Sequence, residues 1–379
     1  MISRKLSRAW SSPERYVQGK DELKNIKKYT NKFGEKIVFL IDSFLFKEIN
    51  QQLGEIYSRE LENIKTYKFE NEVTEEVINE YVDLMKLFSP NVIVGIGGGK
   101  TIDVAKAASA LLGLRFIIIP TIASTDAPTS SLSVLYDKNG NHLGEFFYDH
   151  SPSLVLVDSR IIANAPTRFL VSGMGDSLAT LIEAEAAYKS NTRNLVYYKD
   201  GGFLQTVAGK NIAKVCEETL FENGELAKIS CDKNIVTPYL ENIIETNILL
   251  SGIGFENNAT AGAHSINDGI TTLPEQSKTM HGEKVAFGCF VQLMAESESV
   301  ERIRKIMQFC MKVGLPVCLE DLYIANTKEN ILQIARGSMN SNWKNMPFEV
   351  DVESVYSSIV LADEFGRQEK ENFNKNNKL

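Results

Sequence analysis

The chain is short of the side chains that most often build metal and redox centres: 379 residues hold four histidines, five cysteines and two tryptophans. Cys216, Cys231, Cys289, Cys310 and Cys318 form no CxxC pair, and their odd number excludes a fully paired disulfide framework. They read as reduced, mostly buried thiols, which places the protein in the cytoplasm. Positive charge is also in deficit, with 41 Lys and Arg against 49 Asp and Glu and a net charge of −8, so a nucleic-acid or anionic-membrane surface is excluded. No apolar run reaches membrane-spanning length. The basic start (Arg4, Lys5, Arg8) meets Ser11, Ser12, Pro13 and Glu14 instead of an apolar core, so no export or anchoring segment is expected. Internal repeats are lacking too.

Two phosphate-binding signatures also fail, at an informative place. In Asn91–Thr101 (NVIVGIGGGKT) the apolar residues Val92, Ile93 and Val94 run into Gly95, Gly97, Gly98 and Gly99, and an alanine-rich segment to Leu112 follows. A triphosphate P-loop ending at Gly99-Lys100-Thr101 needs glycine at Val94, and a G-x-G-x-x-G fingerprint from Gly95 needs glycine at Lys100. What remains is strand, glycine turn, helix. Such a turn lets a polyanion reach backbone N–H groups at a helix N-terminus, and it also occurs as a plain tight connection.

The surrounding pattern predicts a nucleotide-binding α/β domain. Lys36–Ile41 and Arg115–Ile119 are buried-strand runs, separated by a helical stretch from Thr74 to Leu87 and by the glycine motif. Asp42 closes the first run, where a carboxylate can accept both ribose hydroxyls and repel a 2′-phosphate; an N-cap for the next helix is the equal alternative. The hydroxyl-rich loop Thr121–Ser131 (TIASTDAPTSS) holds one acid, Asp126, and falls on the strand edge where ligands sit. An alternating segment from Ser131 to Tyr136, the turn signal Asn139-Gly140 and a second run from His142 to Phe147 predict a hairpin flanking the site. Leu154–Val157 supplies one more strand.

From Phe169 the pattern is helical, with breaks expected near Gly201, Gly224, Pro238, Gly269, Pro274 and Pro316, and the polar tail Glu369–Leu379 is expected to fray. The length suits two domains. They divide as residues 1–165, α/β, and 166–379, all helical. His142 and His150 read as surface side chains. His264 lies on a face of small residues (Ala259 to Ser265), His281 starts a helix, and Asp176 follows two glycines in Gly173-Met174-Gly175-Asp176 on entering the helical domain. One Asp and two His suit zinc with an open position, although separations of 88 and 17 residues make no local motif and each histidine alone is more often a hydrogen-bonded core residue.

Five segments in order, GIGGGKT (95–101), PTIASTDAP (120–128), GMGDSLAT (173–180), SGIGFE (251–256) and HGEKVAFG (281–288), resemble the glycerol dehydrogenases, a branch of the metal-dependent iron-containing alcohol dehydrogenase family. The likeness spans about Ser12 to Gly366. It implies a Rossmann-like N-terminal domain and an all-α C-terminal domain, the dehydroquinate synthase-like fold, with the active site in the interdomain cleft. It implies NAD, one zinc per subunit on Asp176, His264 and His281, and a small polyol oriented by Asp126. The cofactor contacts it implies are Asp42, Gly97, Gly98, Gly99, Lys100, Thr121, Ser124, Ser130, Leu132 and Tyr136. Iron-using relatives carry a further histidine where this chain has Thr180, so three ligands and zinc are expected. Glycerol oxidation to dihydroxyacetone is the implied activity, with another vicinal diol, 2-hydroxy ketone or 2-hydroxy acid as the alternative substrate and a dehydroquinate synthase-like lyase as the remoter one. The family forms homo-oligomers, often octamers. Thr129, Asn267 and Ser277–Met280 depart from the pattern near the mouth of the site and bear on substrate preference.

Overall fold

The computed structural model describes residues 6–138, 140, 142–339 and 341–376. Eight strands fall before residue 160: β1 (Tyr16–Gly19), β2 (Ile37–Asp42), β3 (Ile64–Phe69), β4 (Val92–Gly97), β5 (Arg115–Pro120), β6 (Leu132–Tyr136), β7 (His142–Phe147) and β8 (Leu154–Asp158). Helices α1 (Ile26–Thr30), α2 (Phe46–Ile56), α3 (Glu75–Phe88) and α4 (Gly99–Leu112) lie among them. Then follow α5 (Ser159–Ala163), α6 (Thr167–Lys189), α7 (Val207–Asp232), α8 (Pro238–Glu245), α9 (Ser251–Asn258), α10 (Gly262–Thr271), α11 (His281–Ala295), α12 (Val300–Val313), α13 (Lys328–Gly337) and α14 (Val352–Asn376).

Six strands form one parallel sheet in the order β1-β8-β5-β4-β2-β3. Successive residues of a strand face opposite sides. Val38, Leu40, Ile93 and Ile118 accordingly pack with α3 and α4, while Phe39, Ile41, Val94, Ile96 and Ile119 pack with α1 and α2. Both faces are covered, and each fully buried Ile or Val there contributes about 1.5–3 kcal/mol of burial. The predicted runs became β2, β4, β5 and β8. The hairpin β6–β7 stands apart as a two-stranded sheet; Asn139 of its predicted turn lies outside the described residues.

Several expectations are corrected. Tyr16–Gly19 forms edge strand β1 and Ile64–Phe69 forms β3, neither of which the apolar pattern announced. Gly224 and Gly269 do not break helices: they lie inside α7 and α10, where the first meets the Phe309 ring and the second the Ile334 carbonyl. The tail does not fray through its described part, because α14 continues to Asn376. Among the described residues beyond 169, strand-like pairing is limited to one bridge between Arg8 and Leu204, and no described helix is long and apolar enough to cross a membrane.

Candidate active site

The glycine turn sits at the carboxyl edge of the sheet, where β4 ends and α4 begins at Gly99. Its neighbour on β2 is Asp42, since Ile41 pairs with Ile96. Asp42 does not cap α2, whose N-cap is Leu45 with no side-chain bond. Instead its carboxylate accepts from the Phe44 N–H (2.9 Å) and from Thr101 Oγ1 (3.2 Å), so it is fixed beside the glycines. Gly97 leaves the room for this: a Cβ there would lie 2.7 Å from Thr101 Cβ and 2.9 Å from Asp42 Cβ. Gly98, the N-cap of α4, supplies no side chain to occupy the first N–H groups, and no heavy atom stands within 4 Å of a Cβ at Gly99. The N-terminus of α4 is open to an anion. Lys100, the next residue, pairs with Glu72.

The loop after β5 joins the sheet to the helices. Thr121 donates its N–H to Gly97 O (3.1 Å). Ser124 O accepts from Ser172 Oγ (3.2 Å), and Ala123 O from Asn247 Nδ2 (3.0 Å). Ser131 donates its backbone N–H to the buried Glu256 (3.1 Å). Ser130 points inward, where the fully buried Lys106 donates to its hydroxyl (3.3 Å) and to Ala127 O (2.9 Å). Leu132 and Tyr136 are half-buried on β6, with the Tyr136 N–H on Val73 O (2.9 Å).

Three helices then bring Asp176, His264 and His281 together. Asp176 lies in the interior of α6, the first helix of the helical half; His264 lies in the first turn of α10, and His281 is the first residue of α11. One oxygen or nitrogen from each falls within 4.8 Å of the others. Asp176 Oδ1 is 3.2 Å from His281 Nε2 and 3.6 Å from His264 Nε2. This approach needs glycine at 282, because a Cβ there would run into the Ser172 carbonyl of α6. Glu283 holds the start of α11 by accepting from the Met280 N–H (2.8 Å) and from both Nε and Nη2 of Arg168 (2.6 and 2.8 Å).

Charge at the cluster is strongly organised. Burial would raise the Asp176 pKa, but His281 and His264 outweigh it and hold the carboxyl well below its ordinary value. Asp126 donates its N–H to Asp176 Oδ2 (3.3 Å), and burial together with the Asp176 charge pushes its carboxyl well above the ordinary range. Its Oδ2 accepts from Ser251 Oγ (2.9 Å), which pairs with Thr180 Oγ1 (3.0 Å). Ser251 follows a π-helical turn, Thr246–Leu250, of the kind frequent at functional sites. Among the described residues, Asp176 Oδ1 is buried and accepts no well-formed hydrogen bond, the state of an oxygen shaped for a cation.

The N-terminal part, residues 13–159, matches the family model described as iron-containing alcohol dehydrogenase. The chain is 38% identical over 361 residues to a glycerol dehydrogenase of Citrobacter freundii, covering 94% of this chain and 97% of that one. The chain belongs to the iron-containing alcohol dehydrogenase family. A probable glycerol dehydrogenase of Sinorhizobium meliloti superposes with a TM-score of 0.89 at 36% identity, covering 96% of this chain and 99% of that one. A glycolaldehyde reductase of Halobacterium salinarum is 35% identical over 366 residues, 96% of this chain and 99% of that protein. As a member of this family the chain is an oxidoreductase, and the Rossmann-like and helical halves expected from the motifs are those of the family fold.

One site residue escaped sequence reasoning. Glu183 lies seven positions after Asp176, two turns along α6, and its Oε2 is 2.7 Å from His264 Nδ1; that spacing on one helix face was the available signal. Lys284, one turn beyond His281, is nearly buried, and burial pulls its pKa down to about 8. Of the two histidines read as surface groups, His142 pairs with Glu145 at 3.3 Å and His150 rests against the Phe116 ring.

Proposed function

We propose that the chain oxidises glycerol to dihydroxyacetone with NAD as hydride acceptor and a divalent metal, zinc, held by Asp176, His264 and His281. The observation that carries this reading is the convergence of those three side chains beside Asp126, at the edge where the glycine turn opens. The donor set suits the ion: one carboxylate oxygen without a hydrogen bond and two imidazole nitrogens around it, with no fourth protein ligand among the described residues. Thr180, four residues after Asp176, supplies no imidazole, and its hydroxyl is committed to Ser251, which supports zinc over iron. When bound, the metal supplies Lewis acidity that lowers the pKa of a substrate hydroxyl, and NAD takes the hydride.

The chain's own residues bind and orient. Gly97, Gly98, Gly99 and Lys100 take the pyrophosphate on backbone N–H groups, and Asp42 accepts the ribose hydroxyls and repels a 2′-phosphate. Thr121, Ser124, Ser130, Leu132 and Tyr136 form the wall around the nicotinamide half, Ser130 through its backbone because its hydroxyl faces Lys106. Asp126, steadied by Ser251, hydrogen-bonds the polyol and holds the reacting carbon against the ring. The division between the cofactor domain and the metal domain falls at residue 165, in the connection between α5 and α6. Five buried thiols without a disulfide support a reducing, cytoplasmic setting. The proposed assembly is a homo-oligomer, which light scattering tests.

A second reading keeps the chemistry and changes the substrate to another small diol, 2-hydroxy ketone or 2-hydroxy acid; Thr129, Asn267 and Ser277–Met280 and the glycolaldehyde reductase relative favour it. Metal analysis of the purified protein with NAD-linked assays on glycerol and these analogues separates the two. Zinc at one per subunit with glycerol preferred is expected. Glycerol much poorer than an analogue overturns the substrate, and no NADH from any of them overturns the reaction.

A further inference from the structure

Glu183 is fully enclosed in α6, at 1% exposure, yet it is the meeting point of three donors. Its Oε1 accepts the backbone N–H of Ala261 (2.8 Å), the N-cap of α10, and of His264 (2.9 Å), the third residue of that helix. Its Oε2 faces His264 Nδ1 at 2.7 Å. A carboxylate only accepts, so Nδ1 must carry the proton, and the lone pair of the ring is left on Nε2. Nε2 is the atom aimed at Asp176 Oδ1. We propose that Glu183 is a positioning residue that fixes the His264 tautomer for metal binding and, with the same carboxylate, locks the start of α10 so that the ring cannot swing away.

The inference rests on the metal reading above and predicts something that reading does not. In Glu183→Gln the volume is kept but one oxygen becomes an NH2 donor. Turned one way, the amide NH2 opposes His264 Nδ1–H; turned the other, it opposes the two backbone N–H groups. Relief of the first conflict moves the ring proton to Nε2, the atom that must be free to bind a cation. An amide therefore cannot serve both tasks that the carboxylate serves.

The test uses full-length protein stripped of metal and titrated with zinc against a chromophoric chelator, with NAD affinity measured in parallel. Glu183→Gln should weaken zinc binding by about 10–100-fold while NAD affinity stays at the wild-type value. Because the chain has four histidines, ring-15N-histidine labelling resolves the tautomers, and zinc-loaded wild type should show a protonated Nδ1 hydrogen-bonded to a carboxylate at one metal-bound ring, a signal absent from the variant. If Glu183→Gln fails to fold, the wild-type spectrum decides alone: a metal-bound ring without that Nδ1 signal overturns the proposal. Wild-type zinc affinity in a folded Glu183→Gln protein also overturns it. Failure of wild type itself to bind zinc overturns the metal reading instead.

Discussion

Gly97→Ala should separate the two halves of the site. The added Cβ would lie 2.7 Å from Thr101 Cβ and 2.9 Å from Asp42 Cβ, where ordinary contact begins at 3.4 Å. Thr101 belongs to the first turn of α4 and is tied to Asp42 at 3.2 Å, so neither side chain moves without the other. Relief requires a shift of roughly 0.6 Å and costs about 1–3 kcal/mol of stability. The same shift stretches N–H to phosphate bonds from about 2.9 Å toward 3.5 Å, where they cease to count. Losing one charge-assisted bond of about 1.5–3 kcal/mol weakens NAD binding by about ten- to a hundredfold. The proposed metal cluster, built from α6, α10 and α11, should keep its zinc affinity. Parallel titrations with NAD and zinc, and thermal unfolding, check this; unchanged NAD affinity in a destabilised variant, or joint loss of zinc, would refute the assignment of the glycine turn.

Gly282→Ala makes the opposite cut: a Cβ against the Ser172 carbonyl pushes α11 from α6, and zinc affinity should fall at least about a hundredfold while NAD affinity is spared, read by the same titrations. Asp42→Asn keeps an acceptor for Thr101 but removes the charge, and should shift the NAD to NADP ratio of kcat/KM by at least about tenfold toward NADP; an unchanged ratio counts against a ribose contact. Ser251→Ala leaves a buried Asp126 oxygen short of a donor, a loss of about 1–3 kcal/mol that should raise the KM for glycerol and not that for NAD. Equal effects on both would show a general packing defect.

Much of this was legible because buried parallel strands have a one-dimensional signature: β2, β4, β5 and β8 are apolar without interruption, and the glycine turn follows one of them. Strand β3 was not, because it is a sheet edge and its lysines Lys65 and Lys68 interrupt the apolar pattern. Gly224 and Gly269 looked like breaks, yet each is a place where another helix presses in, which only tertiary packing reveals. The metal cluster could not be found from spacing, since three helices carry it; it emerged from motif segments read in order. Asp42 was undecided between ribose contact and helix cap; α2 has its N-cap at Leu45, which removes the cap and leaves the ribose contact as the proposal. Glu183 was hidden for a different reason: its role is to act on another residue.

Asp176, His264 and His281 are proposed to carry the chemistry while the cofactor wall stands apart. His264→Ala, assayed for bound zinc, NAD affinity and NADH formation from glycerol in one preparation, tests this assignment most directly. Loss of zinc, NAD affinity within about twofold of wild type, and turnover lower by at least about a thousandfold are expected, as removal of several kcal/mol of Lewis-acid stabilisation requires. Wild-type turnover with zinc still bound would contradict the assignment.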